Sequence, residues 1–334
     1  MDKKDNREPL LSVKNLVVEY SSEKKIVHAV NDVSFSVDRG RTLGLVGETG
    51  AGKTSIAKAI LQVLPEISAF VRGGEILFDG KNLLELSDRK MAQLRGKRIS
   101  MIFQDPMTAL NPVIRVGNQI AEALVLHEHI GRNEAKEQAE KMLEMVGIRP
   151  ERYGDFPHQF SGGMKQRVVI AMALACRPEL LIADEPTTAL DVTIQAQVLD
   201  MIRELRDTLQ TALIMITHDL GVVAEICDEV AVVYAGEIVE YGTLEEIFDH
   251  PTHPYTIGLF GALPDVNRKL HRLAAINGMP PDPTDLPRGC KFSPRCPYAD
   301  EACRQKKPEM EEMGGTHICR CIHIREEERH GKIN

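Results

Sequence analysis

The chain is 334 residues long, with 41 basic and 49 acidic side chains and a formal net charge of −8. Hydrophobic residues make up 43% and charged residues 27%, which supplies a sizeable core and excludes a disordered chain. The acidic balance argues against broad nucleic-acid binding, and the longest apolar run, Val168 to Cys176, is half the ~18 residues that a membrane span needs.

The opening MDKKDNREPLL has no apolar h-region, which predicts no secretory signal and a cytosolic chain. LLSVKNLVVEY, HAVNDVSFSV and RTLGLVG then alternate in the manner of strands. GGEILFDG and KRISMIFQ predict two more, the first closed by an Asp-Gly turn. Helical patterns dominate from Gly117 to about Val146, and a further helix is expected from near Ser161 to about Ala175. The apolar strands LLIAD and ALIMIT follow, separated by the helix TIQAQVLDMIRELRDTLQ, and AVVYAGEIVEYG predicts a hairpin. Strands alternating with helices imply a mostly parallel α/β sheet, with antiparallel material at the N-terminus.

Chemistry concentrates first in GETGAGKT, Gly47 to Thr54, which satisfies G-x-x-x-x-G-K-[ST] between an apolar strand and a helix. Gly47, Gly50 and Gly52 let the backbone wrap phosphate, with its N–H groups and the helix N-terminus supplying positive potential. Lys53 can reach the β- and γ-phosphates, and the Thr54 hydroxyl can ligate Mg²⁺. LLIADEP ends in two carboxylates: Asp184 suits a Mg²⁺ role and Glu185 is placed to polarise water.

The last part of the chain differs in composition. Nine of 18 prolines lie between Pro251 and Pro297, and Cys290, Cys296, Cys303, Cys319 and Cys321 crowd into the final stretch. In a cytosolic protein such crowding favours a metal over disulfides. Four thiolates suit Zn²⁺ or an iron–sulfur cluster, and no C-x2-C pair selects between them.

The motifs in order resemble the ATPase subunits of ABC transporters: the phosphate loop, Gln104 after a strand, FSGGMKQR at Phe160 to Arg167, DEP, TALD ending at Asp191, and ITHD with His218. FSGGM replaces the usual LSGGQ but keeps the Ser161 hydroxyl and the Gly162–Gly163 amides. That variant, with HPTHPYTIGL and GCKFSPRCPYADEAC, is similar to the dipeptide/oligopeptide importer branch, whose nickel-importing relatives share most of these motifs. The resemblance implies an α/β fold with an ABC-type P-loop ATPase domain over residues 1–262. That domain comprises a RecA-like core, an N-terminal antiparallel β subdomain and a helical signature subdomain at about 105–175. A small loop-rich metal-binding extension would occupy 263–334.

Roles pass to matching residues. Tyr20 corresponds to the aromatic that stacks on adenine. The loop itself, Gly47, Glu48, Thr49, Gly50, Ala51, Gly52, Lys53 and Thr54, with Ser55 after it, surrounds the ATP phosphates. Thr54, Gln104 and Asp184 attend Mg²⁺. Glu185, His218 and Gln104 serve catalysis. Ser161, Gly162 and Gly163 hold the nucleotide of an opposite subunit, and Asp191 sits at the dimer interface. The resemblance also implies two transmembrane permease subunits, a partner ATPase for which it favours a second, similar chain over another copy of this one, and, indirectly, an extracytoplasmic peptide-binding protein. It implies no nucleic acid, and a peripheral place on the cytoplasmic face of the membrane. For the tail it favours a [4Fe–4S] cluster on Cys290, Cys296, Cys303 and Cys321 over Zn²⁺. In similar tails the last cysteine follows a histidine by four positions, as Cys321 follows His317, which leaves Cys319 as the spare.

Overall fold

Two sheets of different character meet around one helix in this computed structural model, which describes residues 8–22, 25–188, 191–261 and 276–323. In chain order come β1 (Leu11–Ser22), β2 (Lys25–Val37), β3 (Thr42–Val46), α1 (Lys53–Ile60), β4 (Ala69–Phe78), β5 (Lys81–Asn82) and α2 (Asp88–Leu94). β1, β2, β4 and β5 form an antiparallel sheet in the order β2-β1-β4-β5. The Asp79-Gly80 turn between β4 and β5 has φ of +51° and +73°, the left-handed pair that a tight two-residue hairpin favours. Arg39 and Arg98 each bond both Asp79 in that turn and Glu179 just ahead of β7 (Leu180–Asp184), which fastens the two sheets at one corner.

β6 (Ile99–Ile102) enters the second sheet and is followed by a helical block: α3 (Pro106–Ala109), α4 (Val116–Glu128), α5 (Arg132–Met145) and α6 (Gly162–Leu174). The apolar pattern from Gly117 to Val146 is thus two helices. His129, at φ +56°, ends α4 in the left-handed conformation, and α5 starts after Gly131. On α5 the buried residues Ala135, Ala139, Met142 and Leu143 form one stripe at helical spacing. α6 is apolar nearly all round and is buried accordingly.

The remainder runs α7 (Val192–Leu209), β8 (Ala212–Thr217), α8 (Leu220–Ile226), β9 (Glu229–Tyr234), β10 (Glu237–Thr243), α9 (Leu244–Asp249), α10 (Pro254–Gly261), α11 (Glu301–Gln305), β11 (Glu311–Gly314) and β12 (His317–Cys319). The large sheet has the order β11-β12-β10-β9-β3-β8-β7-β6. β9, β3, β8, β7 and β6 are parallel, and β10, β12 and β11 continue antiparallel.

The parallel strands are apolar on both faces because each face has its own core. Leu43, Leu45, Leu180, Ile182, Ile214, Ile216 and Val233 point into the layer shared with α1 and the antiparallel sheet. Leu181, Ala183, Leu213, Met215, Val230 and Val232 alternate into the layer shared with α4 to α8. This arrangement puts the carboxyl ends of β3, β6, β7 and β8 side by side, where parallel sheets gather their ligand-binding groups.

The tail is less loop-like than its composition suggests. β12 pairs with β10 through Glu240↔Cys319 and Tyr241↔Ile318, so the extension completes the edge of the main sheet. The expected domain boundary at 262/263 lies outside the described residues. Ile182, fully buried on β7, reports on the packing between the layers. Ile182→Ala is expected to cost about 2–5 kcal/mol of unfolding free energy, read from the urea midpoint with the slope unchanged.

Candidate functional site

The phosphate loop joins β3 to α1 under tight steric control. A β-carbon at Gly47 would lie 2.1 Å from the Val233 carbonyl oxygen, and one at Gly52 would lie 2.2 Å from that of Ala29. Gly52 also sits at φ +102°, so it meets both requirements that only glycine satisfies. Lys53, the first residue of α1, is buried and donates from Nζ to the carbonyls of Gly47 at 2.6 Å and Glu48 at 3.0 Å. Its ammonium is thereby held over the loop. Burial lowers its proton affinity, although Glu185, Asp184 and Glu48 pull in the opposite direction. The next residue, Thr54, donates from Oγ1 to Asp184 Oδ1 at 3.2 Å. Asp184 is 2% exposed, and that burial raises its pKa against the opposing Thr54 bond and Lys53 charge. Thr54 and Asp184 present hard oxygen donors side by side, the donor set that suits Mg²⁺.

Glu185 is the hub. His218 Nδ1 lies 3.0 Å from Oε1, while Thr188 Oγ1 and Gln104 Nε2 each donate to Oε2 at 2.9 Å. These partners come from the ends of β6, β7 and β8, three adjacent strands. Burial pulls the carboxyl upward, but the His218, Thr188 and Gln104 bonds prevail and hold it below the usual range. The backbone of Glu185 is at φ +47°, a left-handed conformation that costs an L-residue roughly 1–2 kcal/mol. Two bonds enforce it: its N–H to the Ile216 carbonyl at 2.8 Å, and its carbonyl accepting from Thr188 N at 3.2 Å. Residues held in such conformations cluster at functional sites, although helix ends and turns such as His129 and Asp79 adopt them too.

The remaining expected residues are placed as follows. Tyr20 Oη is 3.1 Å from Ser55 Oγ, so the aromatic at the end of β1 reaches the start of α1. Thr49 and Gly50 are exposed at the loop's crest, and Ala51 is buried beneath it. Ser161 and Gly162 are exposed at the N-terminus of α6, where the serine hydroxyl accepts from Met164 N at 3.4 Å. Asp191 is exposed and caps α7 by accepting from Ile194 N at 3.0 Å. Gly163 cannot carry a β-carbon without meeting Ile194 Cγ2 at 2.7 Å. Among the described residues, no hydrogen bond joins Ser161, Gly162, Gly163 or Asp191 to the Glu185 and Lys53 cluster. The geometry therefore makes two separate groups of the expected residues.

Three contributors escaped the sequence reading. Thr188 lies inside DEPTT and could have been found as the second hydroxyl after the carboxylate pair. Tyr255, in HPTHPYT, accepts from Glu48 N at 2.9 Å. Arg295, in the cysteine-rich tail, pairs with the Glu48 carboxylate at 2.8 Å, and nothing local marks it.

Among the cysteines, Cys290, Cys296, Cys303 and Cys321 line one small cavity together with His253 and Phe292. Cys319 is 1% exposed on β12 and is not part of that wall. None of the seven cysteines forms a disulfide. Burial, then the neighbouring Cys321, Cys303 and Cys296, push the Cys290 thiol up to about 11. Among the described residues, the set of three metal-capable groups within 4.8 Å of one another is Asp300, Cys303 and His323, which shares only Cys303 with the expected ligands. Asp300 in that set is exposed and caps α11 through Cys303 N at 2.9 Å.

The fold and site are those of an ATP-binding cassette. A family model described as ABC transporter matches residues 30–188, which contain the phosphate loop, Gln104, Ser161 to Gly163, Asp184 and Glu185. A second, described as the C-terminal region of oligopeptide/dipeptide transporters, matches residues 239–303. The oligopeptide transport ATP-binding protein OppD of Bacillus subtilis is 51% identical over 311 residues, covering 92% of this chain and 87% of that protein. The dipeptide transport ATP-binding protein DppD of the same organism is 48% identical over 316 residues, covering 94% of each. The chain belongs to the ABC transporter family, an ATPase family, and carries the C-terminal region of its oligopeptide/dipeptide branch. Among solved structures, cbiO1 of Clostridium perfringens is 26% identical with a TM-score of 0.63, covering 73% of this chain and 92% of that one. A dimeric ATP-binding cassette bound to ADP and Pi has the same TM-score at 24% identity, covering 70% of this chain and 98% of the other, which speaks for the fold alone.

The hydrogen bonds on Glu185 set a titration test. Because its folded pKa is depressed, its stabilising contribution is complete above the ordinary carboxylate range and is lost as pH falls through the folded value. Thr188→Val removes one donor and is expected to move the Glu185 titration upward, as followed by carboxyl carbon NMR.

Proposed function

We infer that the chain is the ATP-binding and ATP-hydrolysing subunit of an importer that takes up di- or oligopeptides through two partner membrane permeases. The observation that carries this reading is the donor-ringed Glu185 beside Lys53 and Asp184, on a chain that also bears the peptide-transporter C-terminal region.

The phosphate loop receives the β- and γ-phosphates of ATP through its backbone N–H groups and Lys53, while Tyr20 offers its ring to the adenine. Thr54, Asp184 and Gln104 would hold Mg²⁺, which supplies charge neutralisation on the β- and γ-phosphate oxygens. Glu185 orients the attacking water and takes its proton as the water oxygen bonds to the γ-phosphorus and the bond to the β-phosphate oxygen breaks. His218, Gln104 and Thr188 fix the carboxylate in the orientation this step requires.

Ser161 and Gly162, exposed at the start of α6, and the half-buried Gly163 face the nucleotide of a second, similar ATPase subunit, and Asp191 lies at that same interface. The likeness to the importer branch favours a distinct chain as that partner over a second copy of this one, and hydrolysis follows closure of the pair. The helical subdomain docks on the permeases. Its exposed Val113, Val125, Leu126 and Met145, with the groove between Leu124, Ile130 and Met142, support that assignment. The pair sits peripherally on the cytoplasmic face of the membrane, and an extracytoplasmic binding protein delivers the peptide. Among the described residues, no helix is long and apolar enough to cross a membrane, in keeping with dependence on permeases. The nucleotide-binding domain spans residues 1–262 and the extension 263–334.

The extension holds a [4Fe–4S] cluster on Cys290, Cys296, Cys303 and Cys321. The likeness of this tail to those of the peptide-importer branch favours the cluster over Zn²⁺, which four thiolates would also suit. The cluster gives the tail a structural or redox-sensing element and takes no part in hydrolysis.

Glu185→Gln is expected to retain ATP binding and to lower turnover in the assembled transporter about 10²–10⁴-fold. Near wild-type turnover would remove Glu185 from the base role. Lys53→Ala is expected to weaken nucleotide binding itself. The isolated chain should be largely monomeric and a poor ATPase, and strong activity independent of its concentration would contradict the split site. Anaerobically purified protein should be brown and contain iron and acid-labile sulfide. Cys321→Ser should lose the colour and Cys319→Ser keep it, whereas a colourless protein with one stoichiometric zinc would overturn the cluster.

A further inference from the structure

A carboxylate inside a phosphate loop opposes the positive potential on which such loops depend. Glu48 is such a group, one residue after Gly47 and close enough to act on Lys53. It does not stand alone. Arg295 donates from Nη1 to Glu48 Oε2 at 2.8 Å and from Nη2 to Oε1 at 3.0 Å, a two-pronged pair spanning 247 positions of sequence. The Arg295 side chain is only 5% exposed, and its guanidinium is fixed on its other sides by the Tyr234 hydroxyl at 3.3 Å and the Asn277 carbonyl at 3.1 Å. A second contact lies alongside, where the His28 amide donates to the Pro283 carbonyl at 2.9 Å. Pro280, Pro281 and Leu286 face Glu48 to Ala51 across a narrow gap.

We propose that Arg295 is a positioning residue for the nucleotide site, fixing the phosphate loop at Glu48 and cancelling the charge that would otherwise oppose an incoming polyphosphate. The proposal rests on the reading of this loop as the ATP site. Arg295 is carried in the turn between Cys290 and Cys296, where Ser293 N bonds the Cys290 carbonyl at 3.1 Å and Cys296 N bonds that of Phe292 at 3.0 Å. Phe292 packs edge-on against Tyr234 with ring centroids 5.2 Å apart. The fold of the cysteine-bearing turn is therefore a condition of a neutral, correctly held phosphate loop.

The test is calorimetric binding of a non-hydrolysable ATP analogue with Mg²⁺ to the full chain. Arg295→Ala is expected to weaken binding roughly tenfold, the order of one lost charge-assisted pair. Combining it with Glu48→Gln should restore most of that loss, because the uncompensated charge is gone. A scaffold role for Arg295 would leave the double variant as weak as the single one, and that result overturns the proposal. So does an Arg295→Ala affinity within about twofold of wild type. Arg295→Gln keeps the stem and carries the same comparison if the alanine variant does not fold. Lys53→Ala separates the two levels. If it binds normally, the ATP-site reading fails; if it alone loses binding, only the role of Arg295 fails.

Discussion

At Gly47 and Gly52 the backbone between β3 and α1 passes so near the carbonyls of Val233 and Ala29 that no β-carbon fits. The rest of the nucleotide site follows from this close approach. It clamps the loop between β9 of the parallel sheet and β2 of the antiparallel one, so the loop inherits the rigidity of both. It buries Lys53 with its ammonium on the loop's own carbonyls, and it brings Thr54 to Asp184 at the end of β7, which β8 separates from β3. A side chain at either glycine would force one of the two sheets to move before any phosphate could be met.

Glu185 shows the same economy in electrostatics. Three donors from three strand ends converge on one carboxylate, and the peptide that carries it is held in a left-handed conformation. Because the strands are hydrogen-bonded neighbours, their ends cannot shift independently. Any movement of the β6 end that carries Gln104 is therefore felt at Glu185, just past the end of β7. Gln104 opens the helical block read as the docking face, so the carboxylate and that face share one strand end.

Much of this was legible because its signals are local. The phosphate loop, the apolar strands LLIAD and ALIMIT and the AVVYAGEIVEYG hairpin declare themselves within a few residues, and each has the predicted form. The break at His129 to Gly131 was not seen, since apolar periodicity runs through both α4 and α5. The pairing of β12 with β10 was hidden because edge pairing depends on a partner elsewhere in the chain. Arg295 was invisible for the same reason, as its meaning lies in Glu48. Likeness to similar tails, through the His317 to Cys321 spacing, favours Cys321 over Cys319; in the structure Cys319 is buried on β12 and Cys321 lies beside the cavity.

The strand order has a consequence for synthesis. β3 is completed at Val46, yet its two neighbours are β8, beginning at Ala212, and β9, beginning at Glu229. A nascent chain shorter than this carries the apolar β3 with both edges unpaired, the state most open to wrong partners. The antiparallel sheet, complete by Asn82, can assemble first on the ribosome and cover the Leu43 and Leu45 face of β3. The opposite face waits for the second half of the chain, so exposure to chaperones is set by translation time rather than by the stability of the finished fold.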